Sequence, residues 1–163
     1  MYSKLLSLFA AVVLVAACES APKDAGNASG SGLGNSGLSS TGSVRPGSQE
    51  DLAANVGDRV FFQYDRVELT PEARATLDRQ AAWLKQYGQV TVTIEGHCDE
   101  RGTREYNIGL GNRRATAVKN YLTALGVSPS RVAIISYGKE RPAVLGTGDE
   151  SWAQNRRGVT TVN

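Results

Sequence analysis

Residues suited to metal, redox or nucleophilic chemistry are scarce in this chain. Its 163 residues include two cysteines, one histidine and one methionine. A lone histidine with no CxxC spacing offers no ligand set for zinc. Charge of one sign is also missing: 18 Lys and Arg against 16 Asp and Glu leave a formal +2. That balance gives no argument for nucleic-acid binding, which would want a clustered basic face. Aromatics are 7% of the chain, with none between Glu19 and Asp51. One long apolar run exists, Leu5–Val15, and it is shorter than the ~20 residues a membrane span requires.

What is present divides into three parts. Lys4, the Leu5–Val15 run and the small residues Val15-Ala16-Ala17 before Cys18 have the layout of a bacterial secretory signal over residues 1–17. A small-residue junction ending in cysteine resembles a lipobox. That resemblance implies a diacylglycerol thioether on Cys18, which becomes the mature N-terminus; an ordinary signal peptide with an incidental cysteine is the alternative. Each buried acyl methylene contributes ~0.8 kcal/mol, so several chains anchor durably. With Cys18 lipidated, Cys98 has no partner for an internal disulfide, and the core must supply the stability. Residues 18–54 are rich in Gly, Ser, Ala and Asn. Such a stretch buries too little apolar surface to offset its ordering entropy, and reads as a flexible tether. About 30 such residues span ~30 Å as a coil and ~100 Å when stretched.

Residues 55–163 carry the folding signals. Val60–Tyr64 is rich in strand formers. Thr70-Pro71-Glu72 has the order of a helix start, and Ala73, Leu77, Ala81, Leu84 and Tyr87 form a stripe ending at Gly88. Val90, Val92 and Ile94 alternate with Thr91, Thr93 and Glu95, as in a strand with one covered face. Glu105–Leu125 reads as a second helix, Val132–Tyr137 as a third strand, Trp152–Arg157 as a short helical turn and Val159–Val162 as a last strand. The order β-α-β-α-β-β predicts an α+β two-layer sandwich, a mixed four-stranded sheet with helices on one face. Trp83 and Trp152 read as packing residues.

One charge is out of place in this pattern. Arg114 lies on the apolar stripe of the second helix with Leu110, Ala117, Val118, Tyr121 and Leu125. A guanidinium on the packed side needs an anionic partner or a ligand. Asp99, just after the second strand, is the natural partner, with Asn107 at the helix start and Asp65 after the first strand. Opposed fixed charges at the mouth of a fold could hold a zwitterion; alternatively, Asp99 and Arg114 form an internal ion pair in a protein-interaction module. An enzyme is the rival class, since His97-Cys98-Asp99-Glu100 contains a nucleophile and a base. Adjacent residues of a strand point to opposite faces, which argues against a His97–Cys98 dyad.

Gly96-His97-Cys98-Asp99-Glu100-Arg101-Gly102, followed by Tyr106-Asn107, Leu110-Gly111 and Arg113-Arg114-Ala115, resembles the signature of the outer membrane protein A-like peptidoglycan-binding domain family. Ser136–Pro142 and Asn155-Arg156-Arg157 extend the likeness. With the lipobox and tether, it narrows to the lipoprotein subfamily. The resemblance implies a non-catalytic module without cofactor or metal that binds meso-diaminopimelate in uncrosslinked stem peptides of peptidoglycan. Asp99 and Arg114 match the family's ligand-binding pair, and Asp65 matches a further aspartate of the subfamily. Tyr64, Cys98, Arg101, Tyr106, Asn107 and Leu110 fall on pocket positions. Cys98 departs from the threonine usual in the wider family, and Gly111 stands where serine is common. The resemblance further implies an outer-membrane location, with the domain in the periplasm, and a TolB-like propeller protein of the Tol system as partner.

Overall fold

A computed structural model describes residues 44–163. The signal segment, Cys18 and most of the expected tether lie outside the described residues. A short helix α1 (Gln49–Asp51) runs on as a wider π turn through Leu52–Val56, and strand β1 is Arg59–Phe61. Helix α2 spans Pro71–Gln86; the Thr70 hydroxyl accepts the Ala73 N–H at 3.2 Å, satisfying one of the free donors of its first turn. After strand β2 (Val92–His97) comes helix α3 (Arg104–Ala124), capped in the same way by Thr103 on Tyr106 N–H at 3.2 Å. Strand β3 (Val132–Gly138), helix α4 (Asp149–Asn155) and strand β4 (Arg157–Val162) complete the domain.

The sheet order is β1-β4-β2-β3. β2 and β3 run parallel, while β4 is antiparallel to both β1 and β2. Val60, Val92, Ile94 and Val132 from the strands meet Ala73, Leu77, Ala81 and Leu84 of α2 and Ala115, Val118 and Leu122 of α3 in one core. The expected α+β sandwich with a mixed four-stranded sheet is therefore the observed fold. Among the described residues, no helix is long and apolar enough to cross a membrane.

Two local expectations change. The folded body starts ahead of residue 55: Leu52 is fully buried in the core. The buried Asp51 carboxylate accepts from Gly47 N–H at 2.8 Å, Asn55 Nδ2 at 2.7 Å and Trp83 Nε1 at 3.0 Å. In the sequence this turn is marked only by a lone leucine, the capping serine Ser48 and Asp51, too weak a signal to stand out beside a Gly/Ser stretch. The first strand also stops at Phe61, although Phe62 N–H still donates to the Arg156 carbonyl at 2.9 Å in the register of the β1–β4 pairing.

α3 crosses β2 at a contact between two glycines. A Cβ on Gly96 would collide with the Gly111 carbonyl, and one on Gly111 would lie 2.9 Å from the Gly96 oxygen. This approach brings the first half of α3 against the end of β2, where the pairing register with β3 shifts between Gly96 and His97.

Candidate functional site

A cavity of about 230 Å³ opens where β2 ends and α3 begins. Tyr64, Asp65, Cys98, Asp99, Arg101, Tyr106, Asn107, Leu110 and Arg114 all line it, together with Gly102. The structure thus gathers every ligand-binding position expected from the sequence around one opening. The residues come from three segments: the loop after β1, the loop after β2 and the first three turns of α3.

Arg114 is fully buried at the cavity floor. Its Nε donates to the Arg66 carbonyl at 3.0 Å, Nη1 to the His97 carbonyl at 2.9 Å and Nη2 to the Gln63 carbonyl at 3.0 Å. The Phe62 ring lies 5.2 Å from the guanidinium carbon. Burial lowers the Arg114 pKa from its ordinary value, against the fields of Cys98 and Asp99, which raise it. The expected pairing of Arg114 with Asp99 is not what forms. Among the described residues, no ion pair joins them; backbone carbonyls solvate the guanidinium instead. These three bonds use three of its five N–H donors.

Asp99 is held by other arginines. Arg101 Nη2 reaches Oδ2 at 2.6 Å, Arg101 Nε reaches Oδ1 at 3.2 Å, and Arg101 N–H adds a bond at 3.1 Å. Arg156 Nη1 lies 3.3 Å from Oδ2 and its Nε donates to the Phe62 carbonyl at 3.0 Å. Desolvation pushes the Asp99 pKa up, but the Arg101 and Arg156 bonds outweigh it, and the net shift is downward. Two residues of separation let Arg101 close on Asp99 locally, before the longer reach from α3 can compete.

The remaining positions divide between frame and rim. Asn107 is buried, and its Nδ2 donates to the Arg101 and Thr103 carbonyls at 2.8 and 3.1 Å, so it shapes the loop that carries Asp99. Asp65 adopts a left-handed backbone (φ 53°), a conformation Asp tolerates better than most residues. The Tyr106 hydroxyl donates to its carboxylate. Tyr64 and Tyr106 are exposed at the rim, and Leu110 is a buried apolar wall.

The enzymatic alternative finds little support in this geometry. The buried Cys98 thiol donates to the Asn107 carbonyl at 3.4 Å, and burial raises its pKa, leaving the poorly nucleophilic protonated form. His97 packs against Tyr137 instead, with ring centroids 5.6 Å apart, and neither ring nitrogen has a hydrogen-bond partner. Burial first, then the Arg157 charge, lowers its pKa to about 4. Among the described residues, no group of three His, Cys, Asp or Glu side chains is placed to hold a metal ion.

Two site residues escaped the sequence reading. Arg156 contacts Asp99 across 57 positions; its only signal was the Asn155-Arg156-Arg157 motif. Trp152, expected to pack in the interior, lies with its ring 4.0 Å from the Arg101 guanidinium carbon.

A mixed sheet with helices on one face and a charged cleft at a strand–helix junction defines an OmpA-like domain. The OmpA family model matches residues 61–156, and the chain belongs to that family. A peptidoglycan-associated lipoprotein of Rhizobium meliloti is 49% identical over 148 residues, covering 91% of this chain and 81% of the relative. One from Pseudomonas aeruginosa is 45% identical over 162 residues, covering 96% and 94%. The crystal structure of the peptidoglycan-associated lipoprotein from Burkholderia pseudomallei superposes with a TM-score of 0.63 at 40% identity, over 65% of this chain and 90% of that one.

Proposed function

We propose that the chain is an outer-membrane lipoprotein that binds peptidoglycan without catalysis. Cys18 carries the lipid, the Gly/Ser segment reaches into the periplasm, and the cavity holds the diaminopimelate of an uncrosslinked stem peptide. The reading is supported by the names of the aligned relatives and by one observation above all: carboxylates and guanidiniums from three segments face a single opening. Diaminopimelate ends in an ammonium beside a carboxylate. Asp99 and Asp65 serve the ammonium. Arg114, held rigid by its three carbonyl bonds, offers its charge and remaining N–H groups to the carboxylate. In this reading the protein is the wall-binding member of a Tol–Pal type system, engages a TolB-like propeller, and contributes to envelope integrity during division.

Sedimentation of the full chain in detergent with purified sacculi tests the proposal. The wild type should pellet, and a soluble diaminopimelate muropeptide should release it. Asp99→Asn should abolish pelleting while preserving the fold, since losing one partner of a desolvated charge contact costs about 2–5 kcal/mol of binding. Wild-type protein left in the supernatant would overturn the reading, and muropeptides released from the sacculi would make the chain a hydrolase. Arg114→Ala is the wrong control. It strands three buried carbonyls and should lower stability by roughly 3 kcal/mol or more in a urea melt. Cys18→Ala should free the protein from membranes.

A further inference from the structure

Arg101 is held on both faces. Its guanidinium carbon lies 3.8 Å from the Tyr64 ring centroid and 4.0 Å from that of Trp152, so the planar group is sandwiched between two aromatic rings. Its edge is the part left to donate, and two edge bonds already go to Asp99. Trp152 belongs to α4, which contributes no residue to the cavity lining. Its ring is fixed from a second direction, because Nε1 donates to the Glu100 carboxylate at 2.9 Å. Lys139 steadies the same loop, donating to the Glu100 and Gly102 carbonyls at 3.1 and 2.7 Å.

We propose that Trp152 is a positioning residue of the binding pocket: stacked against Arg101 opposite Tyr64, it fixes the plane in which that guanidinium meets Asp99 and the incoming ligand. The inference rests on the peptidoglycan-binding reading. A free arginine side chain has many rotamers to lose. The sandwich removes that freedom before the ligand arrives, and lower ordering costs mean tighter binding. A cation over an aromatic face is worth about 0.5–2 kcal/mol according to its exposure. Glu100 turns the indole, the indole flattens Arg101, and Arg101 sets the carboxylate of Asp99.

The test is the dissociation constant of a soluble diaminopimelate-containing disaccharide tetrapeptide, measured by calorimetry on the full chain in detergent. Trp152→Ala should weaken binding roughly 3- to 30-fold. Trp152→Leu, which keeps apolar bulk without a π face, should fall with it, whereas Trp152→Phe should recover most of the affinity. Melting temperatures identify any variant that has lost its fold, and the Phe–Leu comparison carries the test in that case. In an Arg101→Ala background, Trp152→Ala should have no further effect, because the residue acts through Arg101. Equal affinity for the Leu and Phe variants would overturn the inference, as would an undiminished Trp152→Ala effect in the Arg101→Ala background. Failure of the wild type to bind would instead sink the peptidoglycan reading.

Discussion

Arg114 and His97 show how differently burial treats two cations. The guanidinium keeps its charge because three carbonyls, two from the loop after β1 and one at the end of β2, surround it. The imidazole, with no hydrogen-bond partner, is held neutral. The groups facing His97 are Glu95 on its own strand, with Oε2 3.4 Å from Nε2, Tyr137 on β3, Arg157 on β4 and the Arg141 backbone. A folded pKa near 4 against an ordinary 6.5 means that the unfolded chain takes up a proton first as pH falls. His97 therefore costs nothing above about pH 6.5, and stability declines from there to about pH 4, by up to roughly 3 kcal/mol. Asp99 behaves the same way at lower pH: its lowered pKa contributes stability that is present above the ordinary carboxylate value and lost as pH falls through the folded one. Urea melts across this range should show His97→Phe, which keeps a ring against Tyr137, losing less stability than the wild type between pH 6.5 and 4. Identical pH profiles would refute the assignment. Arg114 was legible as an anomaly because a charge interrupted an apolar stripe. Its partners were not, since backbone carbonyls leave no mark on a sequence.

At the scale of elements, α3 depends on how closely it can approach β2. A methyl on an exposed helical glycine stabilises by about 1 kcal/mol. Gly111→Ala should do the opposite, by about 1–3 kcal/mol, because the new carbon would press on Ser136 Oγ and the Gly96 carbonyl. Ser136 cannot simply turn aside: its hydroxyl donates to the Ile108 carbonyl at 2.7 Å and accepts from Gly138 N–H at 3.2 Å. Gly96→Ala, which meets backbone alone, should be the more damaging of the two. Thermal melts rank them, and a stabilised Gly111→Ala protein would show that the contact is slack. The start of α2 was readable, because Thr70 caps as threonines do before a helix, whereas the Thr103 cap of α3 was not read from the sequence. The glycine crossing was readable only as a departure from the family's serine; its purpose needs the strand beneath it. Trp152 was misread because an aromatic in a short turn looks the same whether it fills a core or stacks on a charge.

For the molecule as a whole, the alternation of apolar residues was enough to place two helices over a four-stranded sheet. It did not fix the strand order or the start of the folded body. Leu52 measures the second of these. In a free tether its truncation would be silent, whereas Leu52→Ala in this core should cost about 2–5 kcal/mol in a urea melt. The strand order has a wider consequence. β4 pairs with β1 on one side and β2 on the other, yet it is the last strand in chain order. β2 and β3 can pair without it, but β1 has no neighbour in the sheet except β4. Strand β1, and the loop after it that carries Tyr64 and Asp65 to the cavity, is therefore tied to the rest of the sheet only through residues 157–162, so a lesion in β4 should loosen one wall of the cleft from a distance.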